Sequence, residues 1–476
     1  SLDDYIGLSG VDWQGETFNP TWSQDHNFSL MGGSDNTKYN ASFSRYIENG
    51  IFKNSGFDKT TAKFRLDQKI NKKVSFNVTV NYAQTNRKGT GTSGDSGRFN
   101  MLAQILSARP TGGLKLTDEA LLESAIDPEM LETGESLAQV NPVKQTESVT
   151  NNKRAEMWSA NGALTWEIIK GLTFKTAGTY NTTNNRIDIF YKDGSKEAYR
   201  NGQKPYGRTQ MGRDVRWSNN NTLTWKQKIQ KHNYDIMLGH EVSYRNSEHL
   251  LGEAMDFPFD NLGNNNLGLG AVPSKVESGY SEKMLLSFFA RANYSYNNRY
   301  LLTATVRADG STVFSQKNKW GFFPSASAAW VISEEEFMKQ LPMVDNLKFR
   351  IGYGLAGNQS GIDSYTTLNL VKPNGVVPVG NSAVVSLGDL RNTNPDLKWE
   401  VKHTFNTGID VALFGNRLLL SANYYNSRTT DMLYLYNVSV PPFTYNTLLA
   451  NIGSMRNWGT EIAIGITPLK TKDMEL

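Results

Sequence analysis

Every second residue from Val74 to Tyr82 is apolar: Val74, Phe76, Val78, Val80 and Tyr82 alternate with Ser75, Asn77, Thr79 and Asn81. Successive side chains of a strand point to opposite faces. This stretch therefore reads as a strand with one oily and one wet face, long enough to cross a bilayer at a tilt. The pattern returns further on, where Leu302, Ala304, Val306 and Ala308 share one face and Leu301, Thr303, Thr305, Arg307 and Asp309 share the other. A sheet built of such strands is either a half-solvated antiparallel sheet or a membrane barrel with its oily side outward.

Strand-like runs fall at 26–33, 38–46, 60–70, 74–82, 158–168, 172–182, 217–227, 234–244, 285–296, 300–307, 321–332, 347–354, 404–414, 418–425 and 459–466, about fifteen in all. A helix-like run at 99–108 follows a Gly/Ser-rich piece at 89–97. The connections alternate, short then long. In outer-membrane barrels short turns are periplasmic and long loops extracellular, so the loops near 1–25, 85–154, 192–214, 246–279 and 356–396 are expected outside the cell. Fifteen is odd, whereas closed bacterial barrels have even strand numbers. With no leader at Ser1 and a pattern still running at Leu476, the sequence reads as a piece of something larger.

Composition narrows the class. Large barrels exceed the usual length prior, so 476 residues do not force a domain split. With 38% hydrophobic residues, a mean hydropathy of -0.50 and no apolar run near the roughly 20 residues a membrane helix needs, a helical membrane bundle is excluded. Aromatics make up 11%, including 21 Tyr and 10 Trp, which suits aromatic girdles and sugar-binding surfaces alike. A net charge of +4 gives no push towards nucleic acid. No cysteine is present, so disulfides and thiolate metal sites are out.

Several long runs resemble one family. N-R-Y-L-L-T-A-T at 298–305 with Arg307 and D-G-S at 309–311, followed by K-W-G at 319–321, F-P-S at 323–325 and S-A-A-W at 327–330, is similar to the barrel of SusC/RagA-type TonB-dependent outer-membrane transporters. D-W-Q at 12–14, H-N-F-S-L-x-G-G-S at 26–34, N-L-K-F-R-x-G-Y-G-x-x-G-N at 346–358, N-P-D-L-K-W-E at 394–400, N-Y-Y at 423–425, D-M-L at 431–433 and N-W-G-T-E-I at 457–462 match in the family's order, so the resemblance covers the whole chain. It implies an all-β transmembrane antiparallel barrel of about twenty-two strands with a plug domain. Neither the plug nor the TonB-contacting box is among these residues.

Other motifs have plainer explanations. Gly352-Tyr353-Gly354-Leu355-Ala356-Gly357 spells the dinucleotide fingerprint, which needs a βαβ unit. Here the glycines follow a strand with no helix pattern, and they fit a crowded lumen face shared by Lys348, Arg350, Gly352 and Gly354, with Leu347, Phe349, Ile351 and Tyr353 facing lipid. His232, His240 and His249 have no metal-ligand spacing. The loop 256–266 gathers carboxylates and amides suited to calcium, but it lacks an EF-hand spacing and an ordinary Asx-rich turn cluster is the favoured reading. Glu334, Glu335 and Glu336 read as a solvated charge run. No nucleophile or phosphate-loop motif appears, and an enzyme is not expected.

The loop aromatics Tyr199, Tyr206, Phe257, Phe259, Tyr365, Phe443 and Tyr445 lie near amides and charges able to hold a sugar or a peptide, and girdle or loop packing accounts for many of them. The ligand-contact candidates are Arg307, Asp309, Lys348, Arg350, Tyr206, Phe257 and Tyr365.

The resemblance implies import of an oligosaccharide or peptide across a Gram-negative outer membrane. It also implies a SusD-like surface lipoprotein as lid, TonB acting through the plug, and pairing of two transporters. A siderophore- or cobalamin-type receptor and a non-transporting surface glycan-binding β protein remain as alternatives.

Overall fold

The computed structural model describes residues 6–7, 9–89, 101–112, 116–125, 141–200, 202 and 204–469. Fifteen antiparallel strands form one sheet in chain order. They are β1 (Ser23–Gly33), β2 (Thr37–Asn49), β3 (Gly56–Lys69), β4 (Val74–Lys88), β5 (Val149–Ile169), β6 (Leu172–Tyr191), β7 (Tyr206–Ile229), β8 (His232–Met255), β9 (Val272–Tyr296), β10 (Tyr300–Ser311), β11 (Trp320–Val331), β12 (Val344–Asn358), β15 (Glu400–Leu413), β16 (Leu418–Thr430) and β19 (Ser454–Ile466). Two small hairpins, β13 (Val371–Val379) with β14 (Ser382–Asp389) and β17 (Leu433–Asn437) with β18 (Thr447–Asn451), stand in the last two long connections. No helix among the described residues is long and apolar enough to cross a membrane.

The tight turns have the chemistry their geometry needs. Asn71 Oδ1 accepts from the amides of Lys73 and Val74 at 2.8 and 2.9 Å, closing β3 into β4. Asn297 and Asn298 both take positive φ, 50° and 57°, at the β9–β10 hairpin. Gly171 takes φ 85° at the β5–β6 turn, where a Cβ would lie 2.4 Å from the Lys226 carbonyl.

Register then fixes the faces. Val306 pairs with Ala290 and Pro324, and Thr305 with Arg291 and Ser325, so one face of the sheet is apolar across strands and the other mostly polar. The apolar face is the outer one: Leu302 is 49% exposed and Phe349 40%. Instead of a single core, three small apolar clusters lie among the long connections and strand ends, around Trp13 and Ile105, around Leu397 and Trp399, and around Phe190 and Phe257. Aromatics form two rows on the outer face. Tyr82–Trp158 and Trp217–Tyr244, with ring centroids 4.7 and 5.7 Å apart, belong to the row nearer the long loops. Trp225–Tyr234 and Tyr300–Trp330, both at 6.4 Å, belong to the row beside the tight turns. Trp158 and Trp166 share β5 and lie about 27 Å apart along it, the span of a tilted bilayer crossing.

Strand count, order and short turns match the sequence reading; several boundaries do not. β5 to β9 run 20 to 25 residues, so the expected loops 192–214 and 246–279 shrink to 192–205 and 256–271. Beyond the upper aromatic row the outward positions turn polar, as at Arg154, Glu156, Arg186 and Glu248. Alternation vanishes there while backbone pairing continues. The expected loop 85–154 becomes 89–148 and carries helices Met101–Ser107, Asp118–Glu123 and Pro142–Ser148. The helix-like run at 99–108 thus becomes Met101–Ser107, with 99 and 100 outside the described residues; so is the Gly/Ser-rich piece apart from Gly89. The loop expected at 1–25 contains a helix, Trp13–Thr17, capped by Asp12, and gives way to β1 at Ser23. The loop expected at 356–396 becomes 359–399 and contains β13–β14.

Candidate functional site

The inner face of β8 to β12, β15 and β16 gathers most of the charged candidates. On β10, Arg307 and Asp309 are two residues apart on one face and join directly, Nε to Oδ1 at 2.7 Å. Arg307 Nη2 also donates to Ser287 Oγ at 2.8 Å and reaches Glu241 at 3.4 Å, and the guanidinium lies 5.4 Å over the Phe289 ring. Asp309 is buried. The two residues thus satisfy one another and brace β8, β9 and β10.

A second group lies on β12, β15 and β16. Arg350 donates to both carboxylate oxygens of Asp410 and to Asn423 Oδ1 at 2.9 Å, and Ser421 Oγ donates to Asp410 at 2.9 Å. Lys348, directly opposite Asp410 in register, makes no hydrogen bond or ion pair among the described residues. An open cavity of about 970 Å³ runs along this face, lined by Lys348, Arg350, Lys402, Asn406, Asn423 and Glu461 among others. Glycines keep its floor low. A Cβ on Gly354 would come 2.8 Å from the Ser325 Cβ, and one on Gly352 would come 3.3 Å from that of Ser327. The dinucleotide-like spelling therefore marks a strand crowded by its neighbour, and no helix follows it.

The loop candidates divide. Phe257 is 7% exposed and meets Phe190 edge-on at 5.1 Å, packing the loop base. Tyr206 stacks on Tyr191 at 5.7 Å, far beyond the upper aromatic row. Burial and the neighbouring Glu253 carboxylate push its phenol up to about 12. Tyr365 takes φ 63° in the connection after β12, and burial again raises its phenol. Tyr445 donates to the Asp389 carbonyl and lies under Lys372 at 5.2 Å.

The three histidines sit at different levels. His232 meets the Tyr294 hydroxyl at 2.8 Å beside the tight turns, His240 packs on Phe288, and His249 meets Glu277 at 3.4 Å. In the proposed calcium loop, Asp256 pairs with Lys204, and Asn264 Nδ2 is spent on the Ile189 and Arg208 carbonyls. No cluster of three acidic, histidine or cysteine groups able to hold a metal occurs among the described residues.

Glu335, expected in a solvated charge run, instead joins a hydrogen-bond network beside the tight turns. It accepts from Arg299 at 3.0 Å, Tyr300 at 2.7 Å and Trp330 at 3.1 Å. The Tyr300 and Trp330 donors hold its carboxyl below the usual range. The sequence signal was present, since two of these donors flank adjoining strands. Asp410, Glu241 and Ser287 were out of reach because cross-strand register is needed to bring them to Arg350 and Arg307.

Comparison with known proteins agrees with this wall. The family described as "TonB dependent receptor-like, beta-barrel" matches residues 133–470. TonB-dependent receptor P3 of Formosa agariphila is 30% identical over 99% of this chain and 46% of its own length. TonB-dependent receptor SusC of Bacteroides thetaiotaomicron is 27% identical over 98% of this chain and 47% of its own length. The chain thus spans about half the length of these relatives. Among solved structures, the RagAB peptide transporter superimposes with a TM-score of 0.78 at 24% identity, covering 98% of this chain and 50% of that one. The ferric-catecholate import receptor Fiu of E. coli K12 superimposes less well, with a TM-score of 0.52 at 11% identity over 94% of this chain and 61% of that one. With most of its length matching the family and its strands in the barrel's order, the chain belongs to the TonB-dependent receptor β-barrels.

Proposed function

We propose that this chain is the wall of a channel that imports an oligosaccharide or peptide across the outer membrane of a Gram-negative bacterium. In this reading a SusD-like lipoprotein lids the mouth, TonB acts through a plug region outside this chain, and two transporter–lipoprotein pairs associate. The long loops face the cell exterior. The work is binding and gating, with no bond chemistry.

The observation that carries the reading is the division of the sheet. Its outer face is apolar over most of the span between two aromatic rows, as suits a lipid-facing surface. Its inner face holds fixed ion pairs beside an unpaired lysine, Lys348, over an open cavity of about 970 Å³. A siderophore-type receptor is the weaker reading, given the poorer superposition of that class.

The test is mass spectrometry of the full-length protein extracted in detergent from outer membranes. A stoichiometric lipoprotein with a bound oligosaccharide or peptide supports the proposal. A protein released without detergent, or one that carries an iron chelate and no lipoprotein, overturns it.

A further inference from the structure

Tyr82 and Trp158 are opposite one another in the aromatic row nearer the long loops, and both strands continue past them. Five residues beyond each, Arg87 on β4 and Lys153 on β5 are again directly opposite. Five is an odd step, so these two belong to the inner face, about 17 Å along the strand past the row. Like charges directly opposite across a ladder repel. Neither residue makes a hydrogen bond or an ion pair among the described residues.

Register sets their companions. Phe57 on β3 is opposite Arg87, and Ile187 on β6 is opposite both Lys153 and Gln210. With Asn185 and Gly212 these residues line an open cavity of about 570 Å³. The other charged groups at the cavity are spent. Asp214 pairs with Arg216 at 2.6 Å and with Arg245 at 2.8 Å, and Glu248 lies 3.7 Å from Arg213. Arg154 joins Glu156 at 2.6 Å, and His249 meets Glu277 at 3.4 Å. Two cations are left over, so the wall offers an unbalanced positive spot to whatever fills the cavity.

We propose that Arg87 and Lys153 form a subsite for the sulfate or carboxylate groups of an acidic oligosaccharide, an inference that narrows the import reading and rests on it. The guanidinium presents a fork of donors that matches two oxygens of either group, and the ammonium adds a second positive charge. Beside them the Phe57 ring gives an apolar surface for a sugar ring to lie on, and Asn185 and the amide nitrogen of Gln210 can bond hydroxyls. An acidic peptide is a poorer match. Strands β3 to β8 are each paired on both edges, so no free strand edge is present there to take its backbone.

The test is isothermal titration of the full-length protein purified in detergent, with three probes of comparable length: dextran sulfate, neutral dextran and oligoglutamate. Dextran sulfate should bind about tenfold more tightly than either of the others. Arg87→Gln with Lys153→Gln should lower its affinity about tenfold, whereas Lys72→Gln with Lys73→Gln should leave it within about twofold. The second pair removes the same charge from the turn at the other end of β4, and all four side chains are exposed, so neither double variant threatens folding. The inference is overturned if dextran sulfate does not bind, if oligoglutamate binds as tightly, or if the two double variants behave alike. Fractionation separates the two failures. A protein found outside the outer membrane overturns the import reading, whereas an outer-membrane protein whose affinity ignores Arg87 and Lys153 overturns the anion subsite alone.

Discussion

Arg350 and Asp410 meet fork to fork across β12 and β15, with Nε 2.7 Å from Oδ2 and Nη2 2.8 Å from Oδ1. The residue directly opposite Arg350 is Gly408, where a Cβ would stand 3.3 Å from Arg350 Nη2. The missing side chain lets the guanidinium lie across the strand to its partner. Both groups are about one-third exposed, so the pair lies between surface and buried ion pairs in strength. Asp410→Ala should cost about 1–2 kcal/mol, read as a lower urea midpoint for the folded band in cold gel migration. A double-mutant cycle with Arg350→Met should return most of that loss as coupling.

Lys348 should behave oppositely. It lines the cavity without an ion-pair partner, so Lys348→Ala should change stability by no more than about 0.5 kcal/mol. Uptake of the natural ligand by cells should nevertheless change, because the substitution removes a mobile charge from the proposed path. Unchanged uptake would remove Lys348 from the list of ligand contacts.

Phe257 is predicted to be structural. Phe257→Ala should open the loop base by about 3–5 kcal/mol, seen as faster proteolysis within 256–271, with ligand affinity following only as far as folded protein is lost.

Gly354→Ala should impair assembly by about 1–3 kcal/mol, the usual cost of overpacking, since its Cβ would approach that of Ser325 to 2.8 Å. Adding Ser325→Gly should restore much of the loss. Failure of that rescue would place the crowding elsewhere.

Glu335 gives a pH prediction. Its carboxyl is held below the usual range by Tyr300 and Trp330. A depressed acid contributes stability above its ordinary pKa and loses that contribution as pH falls through the folded value. Glu335→Gln should therefore be less stable than the parent at neutral pH, with the gap closing below about pH 4. Thermal unfolding followed by Trp330 fluorescence checks it.

The sheet was legible because half of each spanning strand must match hydrocarbon, which writes a period of two into residues such as Val74 to Tyr82. The same logic explains where reading stopped. Above the upper aromatic row both faces meet water, so Arg154, Arg186 and Glu248 carry no alternation although their strands continue. Arg307 and Asp309 could be placed on one face from spacing alone. Their partners Glu241 and Ser287 needed register, as did Asp410 for Arg350. The packing of Phe257 could not be read because an aromatic in a polar loop resembles a ligand platform, and the ring that covers it, Phe190, is far away in sequence.

The unequal strand lengths have a geometric consequence. From Trp217 to Tyr206 on β7, and from Tyr244 to Met255 on β8, the wall continues about 35 Å along the strand past the aromatic row. From Tyr353 to Asn358 on β12 it continues only about 15 Å. The edge of the regular sheet is therefore cut on a slant, high at β7 and β8 and low at β12, and on the low side it is the connection 359–399 with its β13–β14 hairpin that carries the chain onward.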